Sequence, residues 1–254
     1  MFSFISAPFL PDNRVTLAAV SCQNQSAIKA LKESRIETIN VYPYKNLTAH
    51  PEAAHADMQL LPIGGSSIIA LKGNDALNNA LAANGFEVRL TSSEIIDFKY
   101  PYCVKLNCAV VGNSIICNER YIDETVRNEF SDKSIINVSQ GYTKCSTAIV
   151  AENAVITSDN SVYKAAVRNK IDCLKITEGH IELCERYHGF IGGACFKAEK
   201  GILAFIGDLR THPDYINIKS FCLNYGVNIL SLMSGNLTDI GGVVPLKETG
   251  GCRK

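Results

Sequence analysis

The stretch GYTKCSTAIV, residues 141–150, sets Cys145 between a lysine and a serine, just ahead of an apolar run. A cysteine attacks only as its thiolate, so it needs a nearby cation such as Lys144 and a proton carrier within reach. Histidine is the ordinary carrier near neutral pH. His55 is followed two residues later by Asp57 in HADM, and Asp239 stands in LTDIGG. Carboxylates beside such a pair could hold cationic N–H groups. Lys105 and Asn107, in VKLNC, add a cation and an amide. Each residue also has an ordinary reading. Cys145 would be one more small core residue among ten cysteines, His55 a solvated loop histidine, and the aspartates turn or cap residues.

These residues are far apart in the chain, so the fold must bring them together. A repeat suggests how. HADMQLLPIGGSSIIALKG reads as two strands joined at Gly64 and Gly65. The helix NDALNNALAANGF follows, capped by Asn74 or Asp75 and stopped at Gly85, and then the strand EVRLTS. The same order recurs from VKLNC, from KCSTA and from FIGGA, while LTDIGGVVPLK supplies a fifth first strand near the C-terminus. The chain opens with the complementary remainder: strand RVTLAAVS, helix QSAIKALKES and strand ETINVYP. Starts fall roughly 40–50 residues apart, a spacing found in propeller-like arrays. The expected architecture is α/β: one domain over residues 1–254, a five-fold pseudosymmetric propeller of ββαβ modules closed by pairing the N- and C-terminal strands. Closure would remove exposed sheet edges. The alternative is an open α/β or α+β domain in which the spacing is coincidental.

Aligning the five first strands on their apolar runs puts Leu60, Cys108, Thr147, Ala194 and Val243 in one register. Three positions earlier stand Asp57, Lys105, Lys144, Ile191 and Ile240, with Cys145 and Asn107 in the next two columns. His55 and Asp239 lie just before their strands. In a radially symmetric ring such positions converge near the axis, and glycines there let backbone or ligand come close.

On these residues the chain resembles the pentein, or guanidine-modifying-enzyme, superfamily, in an uncharacterised bacterial branch. That resemblance implies a carboxylate at Asp239, a His-x-Asp at His55 and Asp57, and a nucleophilic cysteine at Cys145. The order is kept only when the ring is read cyclically, as in a circular permutant. The implied activity is that of a cysteine-dependent hydrolase (deiminase-like) or amidinotransferase acting on a guanidino or amidine small molecule through a covalent intermediate. Cys145, His55 and Asp239 would be catalytic, and Asp57, Lys105, Asn107 and Lys144 substrate-binding. Gly242 stands where deiminases place a second acid, and the two lysines suit a carboxylate-bearing substrate. The competing reading is a non-catalytic binding protein of the same fold, for a small metabolite or a protein.

Composition narrows the field further. Lys and Arg number 25 and so do Asp and Glu, so no basic field points to nucleic acid or an anionic membrane. No apolar stretch is long enough to span a bilayer. The apolar start lacks a basic region and is broken by Pro8 and Pro11, which speaks against a signal peptide. Without a CxxC pair the cysteines read as reduced core residues of a cytoplasmic protein, with Cys252 a frayed terminal thiol. No GxGxxG, Walker or GxSxG spacing occurs. His50, His55 and Asp57 lack a further ligand at helical spacing, so neither metal nor cofactor is expected.

Overall fold

The computed structural model describes residues 2–47, 50–96, 98–184 and 187–250; Cys252 lies outside them. First come β1 (Phe2–Phe4), β2 (Val15–Ser21), α1 (Gln25–Glu33) and β3 (Glu37–Val41). One helical turn, α2 (Ala56–Gln59), leads into β4 (Leu60–Gly64), β5 (Ser67–Ala70), α3 (Asp75–Ala83) and β6 (Glu87–Leu90). The unit recurs as β7 (Ala109–Val111), β8 (Ser114–Cys117), α4 (Glu124–Glu129) and β9 (Ser134–Asn137). It recurs again as β10 (Thr147–Ala151), β11 (Ala154–Thr157), α5 (Asn160–Arg168) and β12 (Asp172–Lys175). A hairpin of β13 (Glu182–Cys184) and β14 (Tyr187–His188) precedes β15 (Cys195–Glu199), β16 (Ile202–Phe205), α6 (Tyr215–Asn224) and β17 (Asn228–Ser231). The last strand is β18 (Val244–Thr249).

In each unit the first two strands are antiparallel, and the helix carries the chain back to a third strand parallel to the second. The fifth sheet is assembled from both ends of the chain. β18 runs antiparallel to β2, with Val244 opposite Ala19, and β3 runs parallel to β2. β1 adds a fourth strand on the other edge of β18, which the sequence pattern did not signal. Among the described residues no sheet closes on itself into a barrel.

Local chemistry explains the repeat. Asn24, Asn74, Asp123 and Asp159 cap their helices by accepting hydrogen bonds from backbone N–H groups in the first turn. Four helices end alike, with a residue in the left-handed region: Arg35, Gly85, Lys170 and Gly226. The next residue then donates its N–H back into the helix, as Ile36 does to the Leu31 carbonyl and Phe86 to that of Leu81. These following residues are buried and apolar, so each helix stop also docks the third strand. The second strands are buried throughout their apolar runs, for example Ile68–Ala70 and Leu203–Phe205, whereas the third strands are largely exposed. The first strands therefore lie innermost, with β10 touching β7 and β15, and β15 touching β18. Among the described residues no helix is long and apolar enough to cross a membrane.

Candidate active site

The predicted register holds for Leu60 and Thr147, opposite Ala70 and Thr157, but in the fourth unit that place is taken by Cys195, opposite Phe205, one residue after Ala194. Leu60 and Thr147 open β4 and β10, and Cys108, Ala194 and Val243 immediately precede β7, β15 and β18. The residues with chemistry therefore sit on turns in front of the inner strands, not within them. His55 precedes α2 and Asp57 lies inside it, while Lys144 and Cys145 occupy the turn before β10.

One nitrogen of His55, one oxygen of Asp57 and the sulfur of Cys145 all lie within 4.8 Å of one another, and all three residues are buried. The thiol donates to Asp57 Oδ2 at 3.1 Å. Asn107 joins the two segments. Its Nδ2 donates to Cys145 Sγ at 3.1 Å and to the Asp57 carbonyl at 3.1 Å. Its Oδ1 accepts from the backbone N–H groups of Lys144 and Cys145, at 2.8 and 3.2 Å. Both ends of the amide are thus used within the protein, where they hold the thiol in place.

Asp239 faces the same site from a third segment. It accepts from Phe190 N at 2.9 Å and from Gly241 N at 2.8 Å. The Asp57 N–H donates to the Gly241 carbonyl at 3.1 Å, which ties the His55 turn to the Asp239 turn. Glycines make room for the functional side chains themselves. A Cβ at Gly193 would overlap the Asp239 carboxylate, and one at Gly241 the His55 ring. Gly241 also has φ +75, a conformation that L side chains rarely adopt. Gly241→Ala is expected to cost roughly 2–4 kcal/mol of stability and to displace the imidazole. Gly226→Ala is the control for backbone strain alone, because φ there is +66 and nothing lies within 4 Å. Equal losses of thermal stability in the two variants would mean that His55 does not pack as described.

Lys105 and Lys144 both make contacts within the protein. The Lys105 ammonium donates to Ser93 and pairs with Asp123 at 3.7 Å. The segment before β7, which carries Lys105, is a turn and not part of the first strand. Lys144 does lie near the thiol, but its Nζ donates to the Gly192 carbonyl at 3.0 Å and lies over the Phe9 ring. Its charge favours the Cys145 thiolate, as a neighbouring cation should, but other influences are larger. Burial pushes the thiol well above its usual range, the Asp57 and Asp239 carboxylates add to this, and Lys144 opposes them without prevailing. Burial likewise pushes Asp57 up to about 6, against the pull of Lys144 and His55. Asp57 Oδ1 is buried and has no hydrogen-bond partner among the described residues.

Sequence reasoning missed Tyr142 and Glu52, which approach the same segments; Tyr142 stands three residues before Cys145, and Glu52 three before His55. The Tyr142 hydroxyl lies 3.3 Å from Glu52 Oε1. His55, Asp57 and Cys145 are chemically a donor set that could also hold a soft divalent cation.

Among curated proteins, none matches this sequence. Solved structures do. An amidinotransferase of saxitoxin biosynthesis from Microseira wollei superposes with TM-score 0.59 at 8% identity, covering 97% of this chain and 98% of that one. The inosamine-phosphate amidinotransferase of Streptomyces griseus gives 0.58 at 10% identity, over 99% of both chains. Agmatine deiminase from C. jejuni gives 0.53 at 11% identity, over 91% of this chain and 90% of that one. At such identities the likeness is one of fold, and that fold is the guanidine-modifying, or pentein, fold. Within it, residues 19–244 match one family along most of the chain, so the protein belongs to the family of unknown function DUF6873.

Proposed function

We propose that this protein is a cysteine-dependent enzyme acting on a C–N bond of a guanidino or amidine small molecule. It would work by deiminase-like hydrolysis or by amidino transfer, through a covalent intermediate on Cys145. The observation that carries the reading is the unpartnered, buried Asp57 Oδ1 beside the thiol and the imidazole. An orphaned buried carboxylate oxygen costs about 1–3 kcal/mol or more, which an N–H donor from a planar cation would recover.

The resting thiol is protonated, and the site's own charges explain how it is activated. A guanidinium held between Asp57 and Asp239 offsets the two carboxylates that keep the thiol protonated, so binding the cation favours the thiolate. The thiol proton passes to His55 as sulfur bonds to the central carbon. The Asn107 N–H toward the sulfur then stabilises negative charge there. His55 gives its proton to the nitrogen that leaves, and the amidino group remains bonded to Cys145. Water, or an acceptor amine in a transferase, loses a proton to His55 and attacks that carbon, expelling the sulfur as thiolate.

The same proposal arranges the five units as a five-fold ring around this site, closed through β18 and β2, in a circularly permuted order. The contacts from β7 through β10 and β15 to β18, and those of α2 with both β2 and β4, support the ring. The test is alkylation of the native protein with chloroacetamidine, a cationic electrophile, against neutral iodoacetamide, with and without chelator. Selective, saturable labelling of Cys145 by the amidine is expected. Labelling with no preference for Cys145 would leave only the non-catalytic binding role, and labelling that appears only with chelator would mean a metal site.

A further inference from the structure

The mouth of the site carries its own chemistry. Glu52 and Tyr142 come from the segments of His55 and Cys145, and the backbone holds both in place. His55 N donates to the Glu52 carbonyl at 3.0 Å, and Ser146 N to that of Tyr142 at 2.9 Å. Phe190 comes from the segment that holds Asp239, to which its N–H donates. The three side chains meet. The Tyr142 ring lies 6.3 Å from that of Phe190 and stacks on Tyr100 at 5.1 Å, and its hydroxyl reaches Glu52. Gly141 leaves room for the Tyr100 ring, which a Cβ there would crowd at 2.7 Å. Tyr100 is exposed, and Glu52, Tyr142 and Phe190 are half-buried, whereas His55, Asp57, Cys145 and Asp239 are buried.

From this arrangement we infer that Glu52, Tyr142 and Phe190 form a subsite for the distal end of the substrate, selecting a guanidine whose chain ends in an ammonium over one ending in a carboxylate. The inference rests on the proposed function, since it takes the reacting guanidinium to lie at Asp57 and Asp239. Aromatic faces attract cations, and a half-buried carboxylate beside them adds charge of the same preference. A carboxylate tail would meet repulsion from Glu52. The two lysines that favoured such a tail are engaged elsewhere, Lys105 with Asp123 and Lys144 with the Gly192 carbonyl.

The experiment uses three guanidines with the same four-carbon chain: agmatine with an ammonium end, butylguanidine with none, and 4-guanidinobutyrate with a carboxylate. Each is titrated calorimetrically into the full chain carrying Cys145→Ser, which prevents turnover. Agmatine is expected to bind about tenfold more tightly than butylguanidine, with 4-guanidinobutyrate weakest. Adding Glu52→Gln is expected to bring all three within about threefold while leaving butylguanidine unchanged. Tyr142→Leu gives a second readout, since losing the ring face should weaken agmatine more than butylguanidine. A carboxylate tail that binds equally well, an unchanged order after Glu52→Gln, or equal losses with Tyr142→Leu would overturn the subsite and leave the proposed function standing. If none of the three binds, and chloroacetamidine shows no preference for Cys145, the proposed function falls and the subsite with it.

Discussion

Cys145→Ala is expected to turn over no guanidino or amidine substrate, with a loss of at least roughly a thousandfold in rate and no covalent adduct by mass spectrometry. The argument is one of position. Six cysteines among the described residues are buried. Burial alone makes a thiol inert. Cys145 is set apart by its surroundings, because its sulfur donates to one carboxylate, accepts from an amide and lies near an imidazole. Cys222→Ala, on the buried face of α6, serves as the control and should keep full turnover. Turnover that survives in Cys145→Ala would remove the covalent mechanism outright.

Asp57→Asn is expected to act in opposite directions on stability and on function. The carboxyl is pushed up to about 6 in the folded chain, from an ordinary value of 3.8. Between those values the folded chain holds a proton that the unfolded chain has released, so folding stability falls as pH rises across that window. Above about pH 6 the full cost of the buried charge is carried, on the order of 3 kcal/mol. Asparagine has no proton to lose. The variant should therefore match the native chain near pH 4 and exceed its stability above pH 6, as urea unfolding at a series of pH values would show. It should also lose affinity for guanidinium compounds, because an amide cannot offer a charged pair of acceptors. For the native chain the same ionisation has the opposite sign for binding, and amidine labelling should rise as pH passes through about 6. A stability gap that shrinks with rising pH would show that the carboxyl is not desolvated.

Much of the fold could be read in advance because its signals are local. Helix caps at Asn74 and Asp159, a stop at Gly85 and short apolar runs recur in the same order, and the register of Leu60 and Thr147 followed from counting along them. What escaped depends on contacts between distant segments. β1 was invisible because three residues carry no period, and its partner is the strand at the other end of the chain. The hairpin β13–β14 carries no apolar alternation. Asn107 could be placed in the site column, yet only the folded chain shows its amide spent on both the thiol and the Asp57 turn. Lys105 lies on a turn that the repeat pattern had run together with the first strand. Tyr142 and Glu52 went unnoticed because an aromatic and an acid at those positions match no motif.

The pairing of β18 with β2 sets a schedule for synthesis. His55 and Asp57 leave the ribosome before Cys145, whereas Gly241, whose carbonyl receives the Asp57 N–H, and Asp239 follow roughly 180 residues after them. A nascent chain that stops after α6 has all six helices but only four of its five inner strands, and lacks one of the carboxylates around the thiol. Its second strand, β2, waits with an open edge for a partner some 225 residues downstream, since Ala19 pairs with Val244. The fifth sheet therefore cannot form before β18 has been made, and a product released earlier would leave the β2 edge open to pair with the wrong strand.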